Sequence, residues 1–294
     1  MPYSLQKEDL KKLRKAFLIP EFINAEMLIA TYATDAYAVR EALPGPLLPA
    51  KAPLATVFVA RYPETNFGCV YNEGALLLHC RYKEENGLYC LSMQVDDDMA
   101  LIGGRERFGY PKKMAESIAL ERTGNRVVGS VRRKGAEILR MECELEGELS
   151  QDISDETLVR TRDWNGVECY RQIIFLFKFF QNPGGRWFDY LPRLVREPVL
   201  FRNTGPLLQG RGEIKVASSA FDPLGDIPVR QAGNIVYGKW HNTMLPGKVV
   251  RRLWNPFGFV RHAFSKVDLT AEMTEAIAGN AKRAKEIWKA AGKF

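Results

Sequence analysis

The sequence predicts a mainly β protein of the α+β class, in which helices at both ends flank an antiparallel β body. Apolar and polar residues alternate in many short segments between about residues 50 and 240, the period of a half-buried strand. Helical patterns occur instead near the two termini. Turn residues such as Gly124-Asn125 separate neighbouring alternating runs, which is typical of antiparallel hairpins.

Composition and length fit one globular unit. The chain has 294 residues, of which 46% are hydrophobic and 26% charged, unlike disordered or fibrous proteins. No repeat or linker divides it, so we expect a single domain over residues 1–294, with a core at about 20–250 and a helical extension at about 255–294. No apolar run reaches the roughly 18–20 residues that span a bilayer. We therefore expect a cytoplasmic protein with no membrane contact.

The charge and the reactive side chains exclude several classes of function. The formal net charge is +7, but the basic residues stand in small clusters without a nucleic-acid-binding motif, so we expect no nucleic-acid partner. This charge suits a carboxylate substrate. Five cysteines without a CxxC pair favour free buried thiols, and three scattered histidines give no metal site.

Three helices are predicted from capping residues and helical periodicity. They occupy the first fifteen residues with Ser4 as N-cap, the stretch from Thr34-Asp35 to Pro44, and the stretch from Asp268, as N-cap, to Ala291, with Gly292 at its end.

Nine strands are predicted from alternation, which is plainest in Met141–Glu146. The predicted strands are Leu54–Arg61, Ala75–Tyr82, Leu88–Val95, Glu116–Arg122, Arg126–Arg132, Glu137–Glu146, Gln172–Phe180, Glu213–Phe221 and Asn234–Trp240. The Pro- and Gly-rich stretch from Asn182 to Gly212 is interpreted as a long ordered connection.

The segment GRERFGYPKKM, residues 104–114, holds the strongest chemical signal. Neighbouring side chains of an extended chain point to opposite faces, so only one of Lys112 and Lys113 can enter an interior cavity. A free lysine, with a pKa of about 10.4, is almost fully protonated at neutral pH and is then not nucleophilic. We expect apolar burial and the adjacent cation to release the proton, whereas an amine locked against an acidic partner would argue against a lyase.

This segment resembles the signature of the acetoacetate decarboxylase family, in which GRE and YPKK stand at this spacing and the first lysine forms a Schiff base. The stretches TDAYAVREALPGPL, Gly87-Leu88-Tyr89 to Met93, and FDPLGDIPV follow in the family's order. The resemblance implies a closed antiparallel β-cone or barrel, a homo-oligomer, and catalysis without a metal or organic cofactor.

The resemblance also implies roles for individual residues. Lys112 would be the Schiff-base lysine and Lys113 its charged neighbour, and Arg105, Glu106 and Tyr110 would frame it. The substrate-binding candidates are Met93, Gln94, Phe58, Glu73 and Tyr237. Three positions depart from the family: its early arginine falls on Ala25, one glutamate falls on Phe58, and a second falls on Asn72 or, with a one-residue slip, on Glu73.

These observations predict a lyase that forms a Schiff base with a small-molecule keto acid and decarboxylates a β-keto acid. The departures leave two alternatives open. The first is an aldolase-dehydratase that condenses a 2-oxo acid with an aldehyde through the same lysine. The second is a ligand-binding protein that keeps the fold without catalysis.

Overall fold

The computed structural model describes residues 4–15, 19–149, 155–184, 187–268 and 271–291. Strands make up most of these residues. They are β1 (Glu21–Ala33), β2 (Leu48–Pro49), β3 (Leu54–Tyr62), β4 (Glu64–Thr65), β5 (Tyr71–Tyr82), β6 (Glu85–Val95), β7 (Lys112–Met114), β8 (Ser117–Thr123), β9 (Arg126–Arg133), β10 (Ala136–Glu148), β11 (Leu158–Arg162), β12 (Glu168–Lys178), β13 (Arg193–Asn203), β14 (Leu208–Val216), β15 (Gln231–Met244) and β16 (Lys248–Arg252).

Short helices lie before, between and after these strands. They are α1 (Lys7–Lys15), α2 (Ala36–Ala42), α3 (Asp98–Gly103), α4 (Phe257–Ala263), α5 (Ala271–Gly279) and α6 (Ala281–Ala291). Among the residues just given, no helix is long and apolar enough to cross a membrane.

Seven strands close into a barrel, in the order β13, β12, β6, β5, β3, β1, β15 and back to β13. The closed barrel confirms the predicted fold class. One pairing in the ring differs from the predicted antiparallel sheet: β12 runs parallel to β6, with Ile174 opposite Leu88. The other neighbours in the ring are antiparallel.

The sheet continues beyond the ring from β15 through β14, β10 and β9 to β8, and this arm folds back over β3 and β5. The largest apolar core lies between the arm and the barrel and includes Leu28, Val59 and Val131. The layers are in close contact: a Cβ added at Gly74 would lie 2.3 Å from a methyl group of Val131. This packing fixes which face of β1, β3 and β5 is left to line the barrel interior.

Each predicted strand overlaps an observed one, and the largest displacement is at Glu213–Phe221, where the strand is Leu208–Val216. Strand β1 was missed because apolar residues occupy both of its faces, so its sequence EFINAEMLIATYA lacks clean alternation. The prediction of a connection over Asn182–Gly212 is wrong, because this stretch contains β13, whose Pro198 disguised it, and the start of β14.

Two predicted helix caps act differently. Asp35 precedes α2 but makes no side-chain capping bond, and it pairs instead with Arg230 at 2.6 Å. The single predicted C-terminal helix is two helices, α5 and α6, and the Asp268 side chain binds Lys113 and Arg133. Gly292 lies outside the described residues. All five cysteines are buried and unpaired.

Candidate functional site

The segment that carries the lysine pair leaves β6 through α3 and a single π-helical turn at Gly104–Phe108. Asp97 starts α3 by accepting a hydrogen bond from the Ala100 amide at 2.9 Å. Gly109 ends the turn with φ 96°, a left-handed conformation that glycine adopts without strain. A Cβ there would also lie 2.8 Å from the Lys178 backbone. The chain can therefore turn sharply into β7.

Strand β7 pairs in parallel with β6, which sets Lys112 beside Met93 and Lys113 beside Gln94. Met93 and Lys112 line the barrel interior, whereas Lys113 lies on the opposite face of β7. The alternation of side chains along β7 thus decides which lysine enters the interior. This confirms the prediction that only one of the two lysines can do so.

The barrel encloses a cavity of about 1080 Å³. Its walls are mainly apolar and come from alternate residues of the ring strands. They include Met27 and Ile29 of β1, Phe58 of β3, Leu77 of β5, Ile174 of β12 and Trp240 of β15. A site of this kind holds a small molecule mainly by burying its apolar surface.

The Lys112 amine points into this cavity and is bound by one carboxylate. Its Nζ lies 2.8 Å from Oε2 of Glu73, and the two side chains are 8% and 6% exposed. The hydroxyls of Tyr71 and Tyr62 donate to the same carboxylate at 3.2 and 3.4 Å. Burial, followed by the charge of Glu73, raises the pKa of both phenols well above the usual value, so they stay protonated donors.

This contact contradicts the expected mode of activation. The expected surroundings of the amine were apolar, with Lys113 as a nearby cation, but Lys112 is paired with Glu73. An opposite charge stabilises the ammonium form, so burial alone does not explain a free amine. Glu73 is instead placed to accept the proton from Lys112 directly, across a single hydrogen bond.

Lys113 belongs to a separate buried cluster of charges on the outer side of β7. Its Nζ lies 3.0 Å from Asp222 and 2.9 Å from Asp268. Arg133 binds the same two carboxylates, and Asp222 is 1% exposed. The segment FDPLGDIPV thus supplies a carboxylate that anchors β7. Lys113 is therefore not placed as the cationic neighbour that activates Lys112.

Arg105 supports strand β7 from outside the cavity. Its Nη1 donates to the carbonyl of Lys112 at 2.9 Å and to that of Lys266 at 3.0 Å. These two bonds hold the backbone of Lys112 against that of Lys266. Glu106 is exposed and does not line the cavity, so the structure does not bring it to Lys112.

The other predicted site residues fall into two groups, according to whether their side chains line the cavity. Met93, Phe58 and Tyr110 line the cavity, and the Tyr110 ring centre lies 5.9 Å from the Lys112 amine. Gln94 is buried on the outer face and binds Ser92 at 2.8 Å. Tyr237 also faces away from the cavity and donates to Glu26. These two predictions failed because each residue is one position out of phase with the lining face.

The structure also settles the three departures from the family pattern. Glu73, and not Asn72, reaches Lys112, because Asn72 faces outward and binds Asp96 at 2.7 Å. Phe58 contributes an apolar wall. Ala25 is buried, and β1 contributes no cation to the lining of the cavity.

Sequence reasoning missed three further groups near the amine. Tyr71 stands two residues before Glu73 on the same face of β5, a spacing that could have indicated the pair. Tyr62 gave no comparable signal. Glu197 is 0% exposed on β13 and lies beside the Tyr110 hydroxyl, but neither of its carboxyl oxygens has a hydrogen bond of regular geometry to a described residue. Burial raises the pKa of Glu197 to about 8.

No group of three or more histidine, cysteine, aspartate or glutamate side chains in the described ranges is arranged to hold a metal ion. The fold and the site together define a closed β-barrel protein that presents one buried lysine-carboxylate pair to an interior cavity. The profile of the family described as acetoacetate decarboxylase matches residues 1–253. The chain therefore belongs to the acetoacetate decarboxylase family.

Individual relatives are similar over shorter stretches. A segment of 96 residues is 42% identical to an acetoacetate decarboxylase of Burkholderia mallei strain NCTC 10229 and covers 32% of this chain and 38% of the relative. A 110-residue segment is 37% identical to the enzyme of that name from Chromobacterium violaceum and covers 37% and 44%. The matched segments thus span less than half of these relatives.

Solved structures resemble the whole fold. An acetoacetate decarboxylase of Legionella pneumophila superimposes with a TM-score of 0.69 at 22% identity, over 80% of this chain and 88% of that one. The enduracididine biosynthesis enzyme MppR, in complex with pyruvate, gives 0.64 at 17% identity, over 81% and 92%. At these identities the likeness establishes a shared fold.

Proposed function

We propose that this protein is a lyase that forms a Schiff base between Lys112 and a keto acid and decarboxylates a β-keto acid. The observation that carries the proposal is the buried Lys112 amine, which points into an apolar cavity and lies 2.8 Å from Oε2 of Glu73. Family membership and relatives named acetoacetate decarboxylase support the same class of reaction.

The first steps follow from the lysine-carboxylate pair. Glu73 takes a proton from the Lys112 ammonium, and the free amine adds to the ketone carbon. The attacking nitrogen passes one proton to the oxygen, Glu73 returns its own proton to the resulting hydroxyl, and loss of water gives an iminium ion, whose nitrogen carries the positive charge. The Tyr71 and Tyr62 hydroxyls donate hydrogen bonds to Glu73 and hold its carboxyl group beside the amine.

The bond between the substrate's carboxylate and the neighbouring carbon then breaks. Its electron pair moves toward the iminium nitrogen, which leaves a neutral enamine and carbon dioxide. Because an iminium carboxylate becomes two neutral products, an apolar cavity favours this step over the charged reactant. Glu73, a carboxylate at this stage, relays one proton from solvent to the enamine carbon, and water adds to the resulting iminium ion, releases the ketone and regenerates the Lys112 ammonium.

A second candidate is the aldolase-dehydratase reaction on a 2-oxo acid and an aldehyde. It is favoured by Phe58, which forms apolar wall where the family pattern has a glutamate, and by Ala25, which stands in place of the early arginine of the family. In this reaction Glu73 would remove a proton from the carbon beside the iminium, and the resulting enamine would attack the aldehyde.

Borohydride trapping tests the Schiff base. Acetoacetate or pyruvate is mixed with the protein, sodium borohydride is added, and the adduct mass is located by peptide mass spectrometry. We expect the adduct on the peptide that contains Lys112, its absence in Lys112→Met, and its retention in Lys51→Met, which changes an exposed lysine. Absence of an adduct with every ketone would instead support a non-catalytic binding protein.

Product analysis separates the two reactions. Release of carbon dioxide from a β-keto acid above the spontaneous rate supports decarboxylation. A conjugated, ultraviolet-absorbing product from pyruvate and an aldehyde, without carbon dioxide, would replace the first candidate by the second.

A further inference from the structure

A second polar group of residues stands in the wall of the same cavity, far from Lys112. Glu73, Leu77 and His79 all lie on the cavity side of β5. Six residues separate Glu73 from His79, which corresponds to about 20 Å along a strand. The cavity is therefore long, and different polar side chains line its two ends.

The far end is built around His79, which is 1% exposed. Its Nε2 lies 2.9 Å from the hydroxyl of Thr56, and that hydroxyl lies 2.9 Å from the hydroxyl of Thr31. All three side chains line the cavity. Burial lowers the pKa of His79, so the ring is neutral at physiological pH.

One atom of this group is left without a partner. The Nδ1 of His79 is buried and has no hydrogen-bond partner among the described residues, and it stands 4.0 Å from Oδ1 of Asp155. Leaving a buried polar atom unpaired costs free energy, so such an atom in a cavity wall favours a ligand atom that pairs with it. A hydroxyl between His79 and Asp155 could accept from one and donate to the other.

The charged side chains of the cavity wall also differ between its two ends, and the end with cations includes the carboxylate of Glu73 beside Lys112. The cationic side chains that line it within the described ranges are Lys112 and Arg107, both from the 104–114 segment. Asp155 and Glu156 are the carboxylates at the His79 end. A molecule with a carboxylate at one end and an uncharged donor at the other matches this arrangement.

We propose that the substrate is an elongated keto acid whose reacting end meets Lys112, whose apolar chain fills the barrel, and whose far end carries a hydroxyl group bound by His79, Thr56 and Asp155. The reacting end of this inference rests on the proposed function. The far end does not, because the contacts of the hydroxyl require no chemistry at Lys112.

A substrate series tests the proposal through catalysis. Carbon dioxide release is measured for β-keto acids of four, eight and twelve carbons, each longer one with either a methyl or a hydroxyl terminus. Each buried methylene is expected to raise kcat/KM about threefold to fourfold. The hydroxyl terminus is expected to raise it a further threefold to tenfold or so once the chain reaches His79.

Matched variants locate the recognition. Thr56→Val keeps the shape of the side chain without the hydroxyl, and His79→Phe removes both ring nitrogens. In both variants we expect the preference for the hydroxyl terminus over the methyl terminus to fall to near unity. His241→Phe is the control, since His241 pairs with Glu21 at 3.3 Å and does not line the cavity, and it is expected to keep the preference. Circular dichroism of each variant verifies folding.

A binding arm separates this inference from the proposed reaction. Calorimetric titration of a twelve-carbon ω-hydroxy fatty acid against the same acid with a methyl terminus needs no ketone and no Schiff base. Tighter binding of the hydroxy acid that depends on His79 supports the far-end site even if no borohydride adduct forms. Equal binding of the two acids, or acetoacetate as the best substrate of the series, overturns the inference while leaving Schiff-base chemistry intact.

Discussion

The Nζ of Lys112 and Oε2 of Glu73 lie 2.8 Å apart inside the barrel, in a contact that connects β7 with β5. Lys112 comes from β7 and Glu73 from β5, on opposite sides of β6 in the sheet. Whether the amine becomes nucleophilic therefore depends on proton transfer from Lys112 to Glu73.

Glu73→Gln distinguishes the two modes of activation. If Glu73 accepts the proton from Lys112, the rate of borohydride trapping at pH 7 should fall about 100-fold or more. If desolvation alone frees the amine, removal of the carboxylate should increase the rate instead, because the ammonium loses its partner. Rapid-quench mass spectrometry measures the rate. Glu64→Gln, at an exposed position of β4, should leave it unchanged.

Gly104 sets the position of the Lys112 side chain. A Cβ at Gly104 would lie 2.7 Å from both Cδ and Cε of Lys112, so Gly104→Ala must push the amine away from Glu73. We expect kcat for decarboxylation to fall at least about tenfold, since small misplacements of a reacting group are costly.

Gly103→Ala provides the matched control for Gly104→Ala. The same methyl group would meet nothing within 4 Å at Gly103. Steady-state kinetics of both variants test the idea. Equal losses at the two positions would show that the turn, and not the contact with Lys112, is responsible.

Lys113→Met should separate stability from catalysis. The substitution leaves Asp222 and Asp268 with one cation fewer in a buried cluster, so we expect the free energy of unfolding to fall by about 3 kcal/mol in urea denaturation. The borohydride adduct should still form on Lys112, because Lys113 faces away from the cavity. Loss of the adduct in a folded Lys113→Met protein would restore Lys113 as an activating neighbour.

Lys134→Met provides the comparison for Lys113. Its amine lies 3.6 Å from Asp268 and its side chain is 42% exposed, so solvent screens the pair. We expect a loss of less than about 1 kcal/mol, measured in the same denaturation experiment.

Glu197 predicts a dependence of stability on pH. Its pKa is raised to about 8 by burial, above that of an exposed glutamate, so the folded protein binds a proton that the unfolded chain releases. Its contribution to stability is full below the unfolded pKa of about 4.3 and is lost as pH rises through about 8.

Glu197→Gln keeps the shape of the neutral acid and removes this titration. We expect the variant to exceed the wild type in free energy of unfolding at pH 9, by an amount on the order of a few kcal/mol, with a much smaller difference at pH 5. Urea denaturation at both values measures it. Wild-type and variant curves that stay parallel with pH would contradict the protonated state.

The sequence indicated more of the fold than of the site. Apolar patterning located nine strands, although β5 and β6 are buried on both faces over most of their length. Strand β13 escaped because an internal proline argues against a strand, and β1 because its sequence lacks clean alternation. The motif at 104–114 located Lys112, and period-two geometry showed that Lys113 must face elsewhere. Periodicity could not show that Gln94 and Tyr237 are out of phase with the cavity, because phase depends on which face the arm of the sheet covers.

The order of residues along the chain by itself determined the lysine, its alternation with Lys113, the apolar strands around it and the family. These features can be read from the sequence because the residues that define each of them lie within a few positions of one another. Only the tertiary structure brings Glu73 to the Lys112 amine, Asp222 to Lys113, and the His79 side chain into the lining of the same cavity. Those contacts join residues dozens of positions apart, and strand pairing across the ring is what brings them together.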